Sequence, residues 1–253
     1  SEHATDAVFS PEFTFMFIDN VKAASTAIRN RLTEVLGVFW LKTIFEGVNI
    51  EDCAIRRSKT KKQKIMRTST ACINTSRAEG LFKFGFTRDP IAKFESGVRQ
   101  ARERLHHPIQ LTADEALEAQ LALPIGEWLD EHLSPTTWRL TGSHAGHGAS
   151  KLDFLGAVEN METDWPYVVN HIKNLNDRQK QDLLMIDSRN SRNATSDSEL
   201  STEGIKRMCN SKLYKQEWSC SGYRLPAVCR KEVSGREKRK KPDNRGGGGK
   251  NPH

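Results

Sequence analysis

No stretch of this chain holds 18 consecutive apolar residues, the length that crosses a bilayer as a helix, so no membrane span is read in it. No two cysteines have the Cys-x-x-Cys spacing of a structural zinc site, which argues against such a metal. The five cysteines, Cys53, Cys72, Cys209, Cys220 and Cys229, leave at least one unpaired within the chain. The Gly-x-x-x-x-Gly-Lys-[Ser/Thr] loop of nucleoside triphosphatases is missing, and no internal repeat is found. A signal peptide and an initiator Met are missing too. The chain begins at Ser1, which suggests a trimmed or processed form.

The 253 residues present suffice for one large α/β domain with a substantial core. A hydrophobic content of 36% and a charged content of 28% predict a soluble, rather polar protein. The net charge of +7 is unevenly spread. Residues 230–253 hold nine Lys/Arg against three Asp/Glu, and the rest of the chain holds 30 against 29. That basic segment also carries a four-glycine run and few apolar residues, so it is expected to be a disordered, solvated tail. A second basic cluster over 56–67 has seven positive charges and no negative one. It reads either as an exposed loop or as a contact for an anionic acceptor. Two glycosylation sequons start at Asn74 and Asn193, and both suit a secretory compartment.

The stretch from Phe13 to Leu36 is the one that the chain is organised around. Phe13 to Asp19 is aromatic and aliphatic and predicts a buried strand. Ile28, Leu32, Val35 and Leu36 recur at helical spacing. Between strand and helix lie Lys22, Ala23, Ala24, Ser25, Thr26 and Ala27. A tight loop of small residues there directs backbone N–H groups at a helix N-terminus, where an anion is favoured, and Lys22 adds positive charge. The plain alternative is a strand-to-helix turn with Ser25 or Thr26 near the cap.

A second strand-to-helix unit follows. Phe82, Phe84 and Phe86 alternate, as in a strand with one buried face. Asp89 and Pro90 make a good helix start, and Ile91, Phe94 and Val98 mark one face. Arg88 closes the strand, and Ser96 lies about a turn and a half into the helix. Further on, Thr112 and Glu115 have capping-box spacing and Pro124 interrupts the helix. A helix from about Ile125 would align Trp128, Leu129, His132 and Leu133. Phe154 to Val158 reads as a buried strand, and Asn160 as a cap for a helix running to about Leu175. Another helix is expected from Asp177 to Ile186, and a last one after Ser201.

Alternating strands and helices imply an α/β fold, three-layered and P-loop-like, with a central parallel sheet and helices on both faces. Ligands then bind at the carboxyl ends of the strands, where both candidate motifs fall. The expected organisation is a lead-in over 1–12, one domain over 13–229 and the tail over 230–253.

Lys22-Ala23-Ala24-Ser25-Thr26 after a strand resembles the 5′-phosphosulfate loop of sulfotransferases that use 3′-phosphoadenosine 5′-phosphosulfate (PAPS). Arg88-Asp89-Pro90 with Ser96 resembles their 3′-phosphate motif. The segment from Phe154 to Trp165, and Cys209 to Tyr223 with Tyr214, Cys220 and Gly222, are similar to the Golgi carbohydrate sulfotransferases in particular. The resemblance runs in order over about residues 13–225. It implies transfer of a sulfuryl group from PAPS to a hydroxyl of a carbohydrate acceptor, with no metal required. It implies that Lys22 and the backbone from Ala23 to Ala27 hold the phosphosulfate, and that Arg88 and Ser96 anchor the 3′-phosphate. It also implies a Cys209–Cys220 bridge, in which Cys229 could replace either partner. A Golgi-lumenal location and a native N-terminal anchor are expected, with a cytoplasmic location as the alternative. The acceptor is a glycan, anionic if the basic cluster serves it, and no nucleic acid is expected as a partner.

The reaction also needs a base to take the acceptor proton. His132 lies in a His-x-x-Pro segment similar to one in these enzymes, although Thr136 stands where they often have Gln. A helix-end histidine is the plain reading of His132. His106 and His107 are rivals, and His144 with His147 could form a metal pair. Glu159 matches a family position and reads as structural, holding a loop. Other acceptors, a protein tyrosine or a small molecule, stay open. So do a P-loop-type small-molecule kinase and a non-enzymatic polyanion-binding protein.

Overall fold

The computed structural model describes residues 6–10, 12–37, 66–69, 80–103, 108–141, 152–186 and 196–230. Five strands in them, β1 (Asp6–Ser10), β2 (Phe15–Ile18), β3 (Met66–Ser69), β4 (Phe82–Thr87) and β5 (Phe154–Ala157), form one sheet in the order β3-β1-β2-β4-β5. β2, β4 and β5 run parallel, with Ile18 opposite Gly85 and Thr87 opposite Ala157. β1 pairs antiparallel with both β2 and β3.

The expected parallel sheet is present as the three strands β2, β4 and β5, and β1 and β3 extend it into a mixed sheet. The cause is local. Only residues 11–14 separate β1 from β2, and so short a connection joins antiparallel neighbours, whereas parallel ones need a long crossover. β1 also arises within the segment expected as a lead-in, and the end of the basic cluster, Met66 and Arg67, belongs to β3.

The helices are α1 (Ser25–Leu36), α2 (Pro90–Arg102), α3 (Ala113–Ala122), α4 (Thr136–Thr141), α5 (Met161–His171), α6 (Asp177–Leu184), α7 (Thr202–Asn210) and α8 (Glu217–Ser221). Period-two alternation sends Phe15, Phe17, Phe84 and Phe86 to one sheet face, where all four are fully buried. There they meet Ile28 and Leu32 of α1, Trp165 and Val168 of α5, and Leu183 of α6. Burying each such ring contributes on the order of 1.5–3 kcal/mol. Met16 and Ile18 point to the opposite face and pack on Leu140 of α4, so helices cover both faces.

A second core lies beside the sheet. Phe94 and Val98 of α2, Leu117 of α3, Met208 of α7, Tyr214 and Trp218 build it. Phe94 and Tyr214 meet edge to face with centroids 5.7 Å apart. This core is closed by a Cys209–Cys229 disulfide with a Cα–Cα distance of 6.1 Å. The implied Cys209–Cys220 bridge is thus corrected to the alternative partner. Trp218 and Glu217 turn inward from α8, which leaves Cys220 exposed and unpaired.

The helix expected from Ile125 does not form. Ile125 is 67% exposed, and Gln120 holds the chain in a turn by donating to the Glu127 carbonyl and accepting from Leu129 N–H. A short 3₁₀ turn, Glu131–Leu133, precedes α4 instead. Asn160 makes no side-chain cap bond; a 3₁₀ turn over Val158–Asn160 leads into α5 in its place. No helix among the described residues is long and apolar enough to cross a membrane.

Candidate functional site

The site is built on the carboxyl ends of the three parallel strands. β2 ends in Asp19 and Asn20, both buried. The Asn20 carboxamide donates to the Phe86 carbonyl at 2.9 Å and to the Thr136 hydroxyl at 3.3 Å. That fixes the start of the Lys22 loop against the end of β4. Ala23 N–H then donates to the Asn20 carbonyl at 3.1 Å and closes a tight turn. Lys22 and Ala24 both adopt left-handed backbone conformations, with φ of 65° and 58°. For residues with a Cβ this costs about 1–2 kcal/mol each. Such strain points to a loop whose shape serves something other than stability.

Ala24 is the N-cap of α1, and an alanine has no side chain to cap with. By contrast Asp89, Thr112, Asn176 and Ser201 cap α2, α3, α6 and α7 through side-chain oxygens. Ser25 and Thr26 stand next to the cap, as the plain reading has them, inside the first turn of α1, and neither caps it. The N–H groups of Ser25, Thr26 and Ala27 receive no side-chain cap, and no acidic residue sits in that turn. Ser25 is buried and Thr26 exposed, its hydroxyl accepting from Arg29 at 3.3 Å. Arg29 also pairs with Asp19 at 3.0 Å. Lys22 is half-buried.

β4 ends in Thr87 and Arg88. Asp89 Oδ1 accepts from Ile91 and Ala92 N–H, each at 3.0 Å, and so starts α2 as the spacing predicts. Glu159, after β5, accepts from Asp89 N–H at 3.0 Å and from the Tyr223 hydroxyl. It thus holds the strand-to-helix corner, in keeping with its structural reading. Arg88 is half-buried, and among the described residues its guanidinium makes no hydrogen bond or ion pair. Burial pulls its pKa below the ordinary value, opposed chiefly by the nearby Glu159 carboxylate. Ser96 lies on the buried side of α2. No hydrogen bond among the described residues joins it to Arg88 or Lys22. The parallel pairing of β2 with β4 brings the Lys22 loop and Arg88 to the same end of the sheet, where both strands finish.

His132 falls in the 3₁₀ turn, not on a helix. Its ring Nδ1 lies 2.6 Å from Asp130 Oδ1, and its N–H donates to the same oxygen at 2.8 Å. A buried carboxylate on Nδ1 orients an imidazole as a base needs. The turn rests on α2 at Gly97, where a Cβ would stand 2.5 Å from the His132 carbonyl. Close by, the fully buried Lys93 ammonium donates to the Ser134 carbonyl. Desolvation pushes its pKa down to about 8, against the pull of Glu217, and Arg139 lowers it further. Glu217 in turn accepts from Thr136 and Thr137 N–H at 2.6 and 2.7 Å. The His132 turn, α4 and α8 therefore form one polar cluster, tied to the Lys22 loop through Asn20.

Sequence reasoning missed Asn20, Lys93, Asp130 and Glu217. Only Asp130 left a signal, two residues before His132. His106, His107, His144 and His147 lie outside the described residues, as do Cys53, Cys72, Asn74, Asn193, the basic cluster over 56–65 and the tail over 231–253. No protein-family model, curated protein or solved structure matches the chain.

Proposed function

We propose that this protein transfers a sulfuryl group from PAPS to a hydroxyl of a carbohydrate acceptor, on a fold of P-loop-like type. The observation that carries this reading is Arg88: a half-buried guanidinium with no hydrogen bond or ion pair among the described residues, one strand away from an uncapped helix N-terminus. A desolvated cation gains most from an ionised partner, and a helix N-terminus favours a second anion. Two phosphate-bearing positions on one ligand suit two anion sites on adjacent strands. The quoted resemblance adds the identity of that ligand.

In this reading the N–H groups of Ala24, Ser25, Thr26 and Ala27 hold the phosphosulfate in line with the acceptor, whereas the Ala23 N–H, expected among them, stays on the Asn20 carbonyl and only shapes the loop. Arg88 and the Ser96 hydroxyl take the 3′-phosphate. The acceptor oxygen forms a bond to sulfur as the bond from sulfur to the bridging phosphate oxygen breaks. The departing electron pair stays on 3′-phosphoadenosine 5′-phosphate, where Lys22 meets the growing charge. The acceptor proton passes to His132, which Asp130 orients. A Golgi-lumenal site and a glycan, anionic if the basic cluster serves it, remain the expected setting.

Calorimetric titration with 3′-phosphoadenosine 5′-phosphate tests the reading, with ADP and with ATP plus magnesium as controls. Selective binding of the 3′-phosphorylated ligand is expected, weakened by about 1.5–3 kcal/mol in Arg88→Ala. Preference for ATP with magnesium, or no nucleotide binding by folded protein, would overturn it.

A further inference from the structure

We infer that Tyr223 keeps the Glu159 carboxylate off Arg88, and that this leaves the Arg88 guanidinium open to an anionic ligand. The ligand assignment rests on the reading above; the control of Arg88 does not.

Glu159 is the strongest acidic influence on Arg88. A carboxylate beside a half-buried guanidinium ordinarily closes on it, often through two parallel hydrogen bonds. Here no such pair exists among the described residues, because both carboxylate oxygens are engaged elsewhere. Oε1 accepts from the Asp89 N–H at 3.0 Å, and Oε2 accepts from the Tyr223 hydroxyl. The first bond builds the corner that presents Arg88. The second turns the other oxygen toward Tyr223. Burial and the Glu159 carboxylate both raise the Tyr223 pKa, so the phenol stays a donor at neutral pH.

Tyr223 reaches this position from the far end of the chain. α8 ends at Gly222, whose φ of 77° turns the backbone sharply. The turn lies within the loop that Cys209–Cys229 closes. The Tyr223 hydroxyl thereby links the second core to Glu159. Tyr223 is a positioning residue in this account, since it acts on the ligand only through Glu159.

A double-mutant cycle tests it, with Tyr223→Phe, Glu159→Gln and the pair, each checked for folding by circular dichroism. One readout is titration with 3′-phosphoadenosine 5′-phosphate. The other is the rate at which phenylglyoxal labels Arg88, followed by mass spectrometry, which needs no nucleotide. Tyr223→Phe frees Glu159 to cover Arg88 and is expected to weaken binding roughly tenfold and to slow labelling. Glu159→Gln removes the competing charge and raises both. In the Glu159→Gln background Tyr223→Phe has no further effect. Unchanged Arg88 labelling in Tyr223→Phe overturns the inference, and so does an equal loss in both backgrounds. If the wild type binds no nucleotide while the labelling pattern holds, only the sulfotransferase reading fails.

Discussion

Asn20 donates a hydrogen bond to the Thr136 hydroxyl at 3.3 Å and so joins segments 116 residues apart. The same carboxamide holds the Phe86 carbonyl at 2.9 Å. One buried side chain thereby sets the Lys22 loop against β4 and against the segment that carries His132. Asn20→Ala strips a buried carbonyl and a buried hydroxyl of their donor. The expected cost is about 1–3 kcal/mol of stability. Urea unfolding checks it, as a lower midpoint with an unchanged slope. A midpoint equal to that of the wild type would show that Asn20 does not hold the two segments together.

Lys93 gives a pH dependence of definite sign. Its pKa falls from 10.5 in the unfolded chain to about 8 in the folded one. Below about pH 8 both states carry the proton, and the burial penalty is fully present. Between there and 10.5 the unfolded state binds more protons, so stability rises with pH, and above 10.5 the penalty is gone. Other groups titrate as well, so the quantity to follow is the difference between wild type and Lys93→Met. Unfolding free energies at successive pH values should show wild type gaining on the variant by on the order of 2 kcal/mol from pH 8 to 10. A flat difference would mean that Lys93 is hydrated in solution.

Gly97→Ala separates a packing constraint from helix propensity. In a helix interior alanine is favoured over glycine by about 1 kcal/mol. Here the added Cβ would meet the His132 carbonyl at 2.5 Å, and that atom is backbone with little room to give. Overpacking of this kind costs about 1–3 kcal/mol. Thermal unfolding should therefore show a lower Tm for Gly97→Ala. If His132 is the base of the proposed transfer, turnover should fall with it, since the displaced turn carries that residue. A higher Tm would place the turn farther from α2 than the structure does.

The parts of the fold that the sequence makes legible are those with local causes. Alternating Phe82, Phe84 and Phe86 announce β4, and Asp89-Pro90 announces α2 with its cap. The parallel pairing of β2, β4 and β5 follows from helices lying between them. β3 was hidden because Met66–Ser69 has no alternation and needs β1 as its partner. The apolar face drawn from Ile125 to Leu133 misled, because it ignored Gln120, whose side chain satisfies the backbone of a turn instead. The proposed anion site is legible through Lys22 and Arg88. Its buried supports are not. Glu217 caps α4 from 80 residues away, and no spacing rule links two such positions. The disulfide partner was decided by which face of α8 turns inward, a property of the second core and not of the cysteine spacing.

Lys22 combines two properties that substitution can pull apart. Its φ of 65° is unfavourable for any residue with a Cβ, and its side chain brings a positive charge to the loop. Lys22→Gly removes both the strain and the charge; Lys22→Ala removes only the charge. Lys22→Gly should therefore be the more stable of the two by about 1 kcal/mol, read from the urea midpoint. If Lys22 acts on charge that develops on the leaving phosphate, both variants should lose far more in kcat than in affinity for 3′-phosphoadenosine 5′-phosphate. Equal stability of the two would remove the strain argument. A kcat close to that of the wild type in either would remove Lys22 from the chemistry. If both outcomes hold, Lys22 lowers the stability of its own loop and yet carries the charge that the proposed reaction needs, the pattern expected where backbone strain is held for function.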